Sequence, residues 1–282
     1  MDVSHKLILV PTPIGNLDDI SKRAFSALEN CDAVYCEDTR VTGKLLAAYS
    51  IKKPMFRMDE NLIARHVEAL VERINSGETI CYCSDAGMPG ISDPGSRIVA
   101  ACRKAGVEVE VLPGANACLL ALVASGFNST HFFFEGFLPK KKTQKSLRLQ
   151  ELMALDCPVV VYESPNRVLD TIRAIKEVDS ERPVCAAREL TKLHEEVIVL
   201  PATQMLSAFE KKVENGTCRG EFVLVIEGCP TITNSDSQTE LLDEAREFVN
   251  ELVECGVPKH KVRELLIKHF NVSKNKAYEL SI

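Results

Sequence analysis

The chain of 282 residues contains no tryptophan, and only 6% of its positions are aromatic. This argues against a broad base-stacking platform of the single-strand-binding type. No Gly-x-Gly-x-x-Gly follows the first strand-like run and no Gly-x-x-x-x-Gly-Lys-Ser/Thr occurs anywhere, which disfavours dinucleotide-binding Rossmann enzymes and P-loop NTPases. A Gly-x-Ser-x-Gly hydrolase elbow is missing too. Eleven cysteines and six histidines form neither Cys-x-x-Cys nor His-Glu-x-x-His, so no metal is expected, and buried reduced thiols are. Long apolar runs are also lacking. The longest, Ala117–Ala124, falls far short of the roughly 20 residues that cross a bilayer. The apolar run ending at Pro11 is too short for a signal peptide, and a soluble cytoplasmic protein is expected. A net charge of −6 excludes an arginine-rich nucleic-acid coat but leaves room for an enzyme with a local basic patch.

What is present is an ordinary globular composition, 45% hydrophobic and 26% charged, long enough for about two domains of roughly 150 residues. Short β-branched runs alternate with amphipathic segments, the pattern of an α/β fold. Strands are predicted at Leu7–Val10, Ala33–Cys36, Thr79–Cys83 and Val107–Leu112. Helices are predicted at Ile20–Glu29, about Val41–Tyr49, Ile63–Ile74 and Arg97–Lys104, the last with Asp93-Pro94 as its N-cap and first residue. The alternation restarts with a helix at Ala117–Ala124 and a strand at Phe132–Phe134. A basic loop, Lys140–Lys142, precedes a helix at Ser146–Ala154. Strands at Pro158–Tyr162, Val184–Arg188 and Glu221–Glu227 and helices at Val168–Val178 and Met205–Val213 complete it. The domains are expected at residues 1–115 and 116–229, with a hinge near Gly114–Gly126. A polar linker, Pro230–Thr239, leads to a helical extension at 240–282 with predicted helices at Leu241–Cys255, Lys259–Phe270 and Lys274–Leu280. Charge swings within that extension: one Arg stands against six acids from Glu240 to Cys255, and six Lys/Arg against two acids from Gly256 onward. The turn after Phe270 has the look of a helix-turn-helix, and a small helical cap with a solvated basic face reads equally well.

Two loops stand out. Val10–Leu17 carries two prolines and Gly15 directly after the first strand. Ser84–Gly95 packs three glycines, two prolines and two aspartates between a strand end and a helix start, where open α/β sheets bind their ligands.

These loops also carry a resemblance. VPTPIGNLDDIS, CEDTR (Cys36–Arg40), SDAGMPGISDPG, LPGANA (Leu112–Ala117), FEGFLP (Phe134–Pro139), YESPNR (Tyr162–Arg167) and ARELTKLHEE (Ala187–Glu196) follow one another in order. Together they resemble the ribosomal RNA small subunit methyltransferase I family of the tetrapyrrole-methylase-like superfamily, with departures at Met88 and Asn166. The resemblance implies two α/β domains of the tetrapyrrole methylase type, S-adenosylmethionine in the cleft between them, and a homodimer. It implies methyl transfer to the ribose 2′-hydroxyl of a cytidine in 16S rRNA. Carried over by motif, the cofactor would be held by Pro13, Ile14, Ser84, Asp85, Ala86, Gly87, Asn116 and Ala117, with Tyr162 and Leu190 from the second domain.

An alcohol nucleophile needs a base or a polarising cation. Glu189 and Lys192 are the candidates for these roles, unless their charged loop is simply solvated; Glu37 and Asp38 are the alternatives. Contacts to RNA phosphates are expected from Arg40, Arg167, Lys140, Lys141, Lys259 and Lys261. The competing readings are a tetrapyrrole or other small-molecule methyltransferase and a non-catalytic RNA-binding assembly factor.

Overall fold

The computed structural model describes residues 5–128, 130–229, 245–253, 257–270 and 280. Chain contacts divide it into a unit ending at Cys229 and a second unit beyond. The first unit contains two five-stranded sheets.

The first sheet is built from β1 (Lys6–Leu9), β2 (Ala33–Cys36), β3 (Met55–Arg57), β4 (Ile80–Cys83) and β5 (Glu108–Val111). Its order is β3-β2-β4-β1-β5, and every described pairing is parallel. Parallel strands must be covered on both faces, which is why the central ones read as unbroken apolar runs. Alternate side chains divide between two cores. Leu7, Leu9, Ile80 and Tyr82 pack with α3 (Ile63–Asn75) and α4 (Gly95–Lys104). Ile8, Val10, Val34, Cys81 and Cys83 pack with α1 (Lys22–Asn30) and α2 (Thr39–Ala48). Asp93 is not the N-cap of α4, contrary to expectation, because the helix starts one residue later, at Gly95. Pro94 is the N-cap, and Asp93 accepts from the amides of Gly95 (2.7 Å) and Gly90 (2.8 Å).

The second sheet comprises β6 (Phe133–Phe137), β7 (Val159–Glu163), β8 (Pro183–Arg188), β9 (Glu196–Pro201) and β10 (Phe222–Ile226), in the order β6-β7-β10-β8-β9. Only β6 and β7 run parallel; the other pairings are antiparallel. One face is covered by α6 (Lys142–Met153), α7 (Val168–Val178) and α8 (Ala202–Glu214). The other packs against α5 (Ala117–Ser125) through Cys118 and Ala121. α6 begins at Lys142, four residues before the predicted start, because its first turn is a lysine-rich stretch that reads as loop.

In the second unit, a helical segment at 245–253 (α9) packs Ala245 and Val249 against Val262 and Leu266 of α10 (Lys259–Phe270). The expected turn after Phe270 and nearly all of the expected helix Lys274–Leu280 lie outside the described residues. Among the described residues no helix is long and apolar enough to cross a membrane, and all ten cysteines are free thiols.

Candidate active site

The carboxyl ends of β1 and β4 lie side by side, so the two loops singled out above emerge together. A reciprocal pair of hydrogen bonds joins them: Thr12 N–H donates to Gly87 O and Gly87 N–H to Thr12 O, both at 3.0 Å. Gly87 sits at φ +81°, where an L side chain is strained, and a Cβ would crowd Ile14 Cγ2 at 3.2 Å. Ser84 ties the same loop down, its hydroxyl donating to Gly87 O (3.2 Å) and its carbonyl accepting from Thr12 Oγ1. Beside it, Asp85 accepts from Asp38 N–H at 3.0 Å, and its own amide donates to Glu37 Oε1 at 3.1 Å. Burial raises the carboxyl pKa of Glu37, Asp85 and Asp93 above the ordinary range, against backbone bonds that pull each down.

The opposing wall comes from the second sheet. Tyr162, at the end of β7, meets Phe134 and Phe137 edge-on, with ring centroids 5.1 and 5.7 Å away, and burial pushes its phenol up to about 12. Next to it Glu163 is buried and held by Thr171 Oγ1 (2.8 Å), the Ser164 amide (2.9 Å) and Arg167 Nε (3.2 Å). The turn after β8 places Glu189 at φ +51°, with its Oε1 accepting from both the Glu221 amide and Lys192 Nζ at 2.9 Å. Lys192 Nζ also donates to Glu221 Oε2 at 2.8 Å. Partial burial raises the Glu189 pKa, but the Glu221 amide and Lys192 outweigh it and the net shift is downward. Lys192 moves the other way: burial opposes its charge, and the Glu221 and Glu189 carboxylates more than compensate. This turn docks on the first loop. Asn16 N–H donates to Thr191 Oγ1 (3.1 Å), and a Cβ on Gly15 would run into Lys192 Cγ and Thr191 Oγ1.

Between the walls lies a cavity of about 350 Å³. Ile14, Ala86, Gly87, Asn116, Ala117 and Tyr162, six of the ten expected cofactor residues, line it. Pro13, Ser84 and Asp85 line an adjoining hollow of about 320 Å³. Leu190 belongs to the apolar cluster that also takes in Ile14, Ala117 and Tyr162. Asn116 has a local task as well, its Oδ1 accepting from Leu119 N–H to cap α5.

Residues 6–206 match the tetrapyrrole (corrin/porphyrin) methylase family. The chain is 38% identical to the ribosomal RNA small subunit methyltransferase I of Haemophilus influenzae, over all of this chain and 98% of the relative. It is 42% identical to the protein of the same name from Thermotoga maritima, over 79% of this chain and 98% of that one. The chain belongs to the ribosomal RNA small subunit methyltransferase I family. Its fold is that of the tetrapyrrole methylases. A solved uroporphyrin-III C-methyltransferase from Thermus thermophilus, complexed with S-adenosyl homocysteine, superposes with a TM-score of 0.52 at 16% identity, covering 78% of this chain and 96% of that one.

For this member of the family, the cavity is also lined by residues to which the sequence alone assigns no site role, among them Met88, Ile91, Phe137, Glu163, Glu221 and Phe222. The first four sit inside motifs already singled out. Glu221 and Phe222 gave no local signal, since only the placing of β10 between β7 and β8 brings them to the cavity.

The residues expected to contact RNA differ in their surroundings. Arg167 turns toward the strand end, its Nη2 donating to Leu138 O at 2.7 Å and Pro139 O at 3.3 Å, and its side chain stays 25% exposed. Arg40 is exposed but paired with Asp38, holding that carboxyl well below the usual range. Lys140 and Lys141 are exposed, as are Lys259 and Lys261 in the second unit, where Lys261 lies 3.4 Å from Glu264. Among the described residues, one group of metal-ligand type, His131, Asp156 and Cys157, comes together, ahead of β6 and β7 and so at the opposite end of the sheet from the cavity.

Proposed function

We propose that this chain transfers a methyl group from S-adenosylmethionine to the ribose 2′-hydroxyl of a cytidine in 16S rRNA. The observation that carries the reading is the cavity walled by loops of both sheets. Its volume of about 350 Å³ falls in the range of small-molecule sites, and apolar and aromatic side chains surround a few polar groups. Such walls suit an adenosine and a thioether chain. Ile14, Ala86, Gly87, Asn116, Ala117 and Tyr162 would hold the cofactor, with Phe137 closing over it. Pro13, Ser84, Asp85 and Leu190 support them from behind. When bound, the cofactor supplies a methyl group on a sulfonium sulfur.

The residues of the chain then have to position the hydroxyl and take its proton. Both Glu189 and Lys192 were candidates, and the geometry favours different tasks for them. Glu189 is a low-pKa carboxylate whose Oε1 is already shared between the Glu221 amide and Lys192, so it serves best as the anchor of that lysine. Glu221 lines the cavity, and Lys192 fixes its orientation through Oε2. We assign the proton to Glu221 and the stabilisation of the developing alkoxide to Lys192.

The reaction belongs in the cytoplasm with the small subunit, and the homodimer is part of the same proposal. α5 is apolar on its outward side as well, leaving Leu119 (46%), Leu120 (37%) and Val123 (81%) exposed on one helix. A second copy of the chain covering this helix accounts for that face. Val123→Glu should then yield a monomer by light scattering; an unchanged mass would remove α5 from the interface. The function itself is tested by mapping ribose methylation in small-subunit RNA incubated with the protein and labelled cofactor. Label on a base, or none on RNA, would refute it.

A further inference from the structure

On the far side of Glu163 from the cofactor cavity, α6 and α7 enclose a separate hollow of about 270 Å³. Three lysines line it, Lys140, Lys142 and Lys145, with Ser146 and Arg173; the acids Asp170 and Glu177 line it too. Arg173 is engaged by Asp170 at 2.9 Å and by Glu210 at 3.6 Å, so one of the two acids is already neutralised.

Lys145 is the unusual member. It is only 7% exposed, yet its ammonium makes one hydrogen bond, to Thr171 Oγ1 at 3.2 Å, and has three donors to satisfy. Burial lowers its pKa, which the charge of Glu163 opposes. Glu163 and Asp170 offset its charge from a distance, and the donors left over after Thr171 have capacity for a further anion in the hollow. α6 also starts at Lys142 with no side-chain cap, which leaves its first amides to an outside acceptor.

The hollow and the cofactor cavity share a wall. Phe137 lines the cavity, and the same strand end runs through Leu138 and Pro139, which hold Arg167, into Lys140. Glu163 lines the cavity and reaches Lys145 through Thr171. We propose that this hollow is a phosphate subsite that grips the RNA backbone beside the nucleotide being methylated. The inference rests on the RNA reading above and adds a place and a geometry to it. Free inorganic phosphate shares the chemistry, and the test separates the two.

The full-length protein is compared with Lys140→Ala/Lys142→Ala and with Lys145→Met, using a small-subunit rRNA fragment. Each lost phosphate contact should make the plot of log affinity against log salt shallower by roughly 0.7 to 0.9. The apparent KM for RNA should rise severalfold while cofactor affinity and kcat hold, and inorganic phosphate should compete with RNA for the wild type more strongly than for the variants. Unchanged slope and KM in the double variant overturn the proposal even if Lys145→Met fails to fold. Lysine side-chain NMR during a phosphate titration gives an independent arm. Shifts at Lys140, Lys142 and Lys145 together with an unchanged RNA slope assign the hollow to free phosphate and overturn its role in RNA binding. If wild-type protein methylates no RNA, the functional reading fails first, and the absence of any lysine shift would then remove the hollow as an anion site as well.

Discussion

The two walls of the cavity are made by opposite means. The wall from the first sheet is backbone: the Thr12–Gly87 pair, a glycine at φ +81°, and Asp93 gathering the amides of Gly90 and Gly95. The wall from the second sheet is side chain: Glu163 with Thr171 and Arg167, and Glu189 with Lys192 and Glu221. A surface that has to come close to a ligand is best built from peptide groups, which need no rotamer fixed. A surface that has to handle a proton needs charges whose positions other charges hold. The difference also extends to acidity, since burial raises the carboxyls of the first wall while the bonded Glu189 lies below its usual value.

The sharpest way to break this division is at Glu221. Glu221→Gln should cut single-turnover methyl transfer by about 10²–10⁴-fold with both substrates still bound, the usual worth of a general base. Glu189→Gln should fall well short of that. Equal losses, or a larger one at Glu189, would reverse the roles. Next in size is the backbone wall. Gly87→Val imposes a side chain at positive φ, a strain of about 1–3 kcal/mol, or roughly 5- to 150-fold in cofactor affinity by calorimetry. Unchanged affinity in a folded variant would take the loop out of the site.

Within the side-chain wall, Thr171→Val removes the hydroxyl between Lys145 and Glu163 and should cost about 1–3 kcal/mol in denaturant unfolding, the penalty for unsatisfied buried groups. A neutral result would mean the two charges pair without it. The smallest effect is a contrast in titration. Glu189 has a folded pKa below the ordinary value of a glutamate, so its stabilisation is complete above that value and is lost as pH falls through the folded pKa. Glu37, Asp85 and Asp93 have raised values, so the fold takes up their protons first and their burial cost is relieved on acidification. Carboxylate NMR should show Glu37 titrating at higher pH than Glu189, and Asp85 and Asp93 above an ordinary aspartate. A common midpoint for Glu37 and Glu189 would erase the contrast.

Much of this organisation is local and could be read directly. The bounds of Val168–Val178 and Lys259–Phe270 follow from helical periodicity alone, and the glycine-rich loop stands where strand ends carry ligands. β3 and β9 went unread for physical reasons. β3 has three residues, all exposed, and β9 is an edge strand of half-buried side chains following a charged motif. The turn of Arg167 toward the strand end was equally hidden, because its acceptors are carbonyls 28 and 29 positions earlier. Glu221 shows the general limit. Its role depends on sheet order, which no window of sequence contains.

The reciprocal pair between Thr12 and Gly87 has a consequence for the life of the protein in the cell. The cofactor wall does not exist until β1 and β4 have paired, and the cavity not until the second sheet has closed against it. A growing chain therefore offers the cofactor nothing to bind. Any affinity belongs to the finished fold alone, so bound cofactor adds its full linkage term to global stability, about 2.7 kcal/mol when its concentration is a hundred times Kd. The abundance of this protein should consequently follow the cellular supply of methyl donor, with depletion exposing the chain to proteases before it limits the reaction.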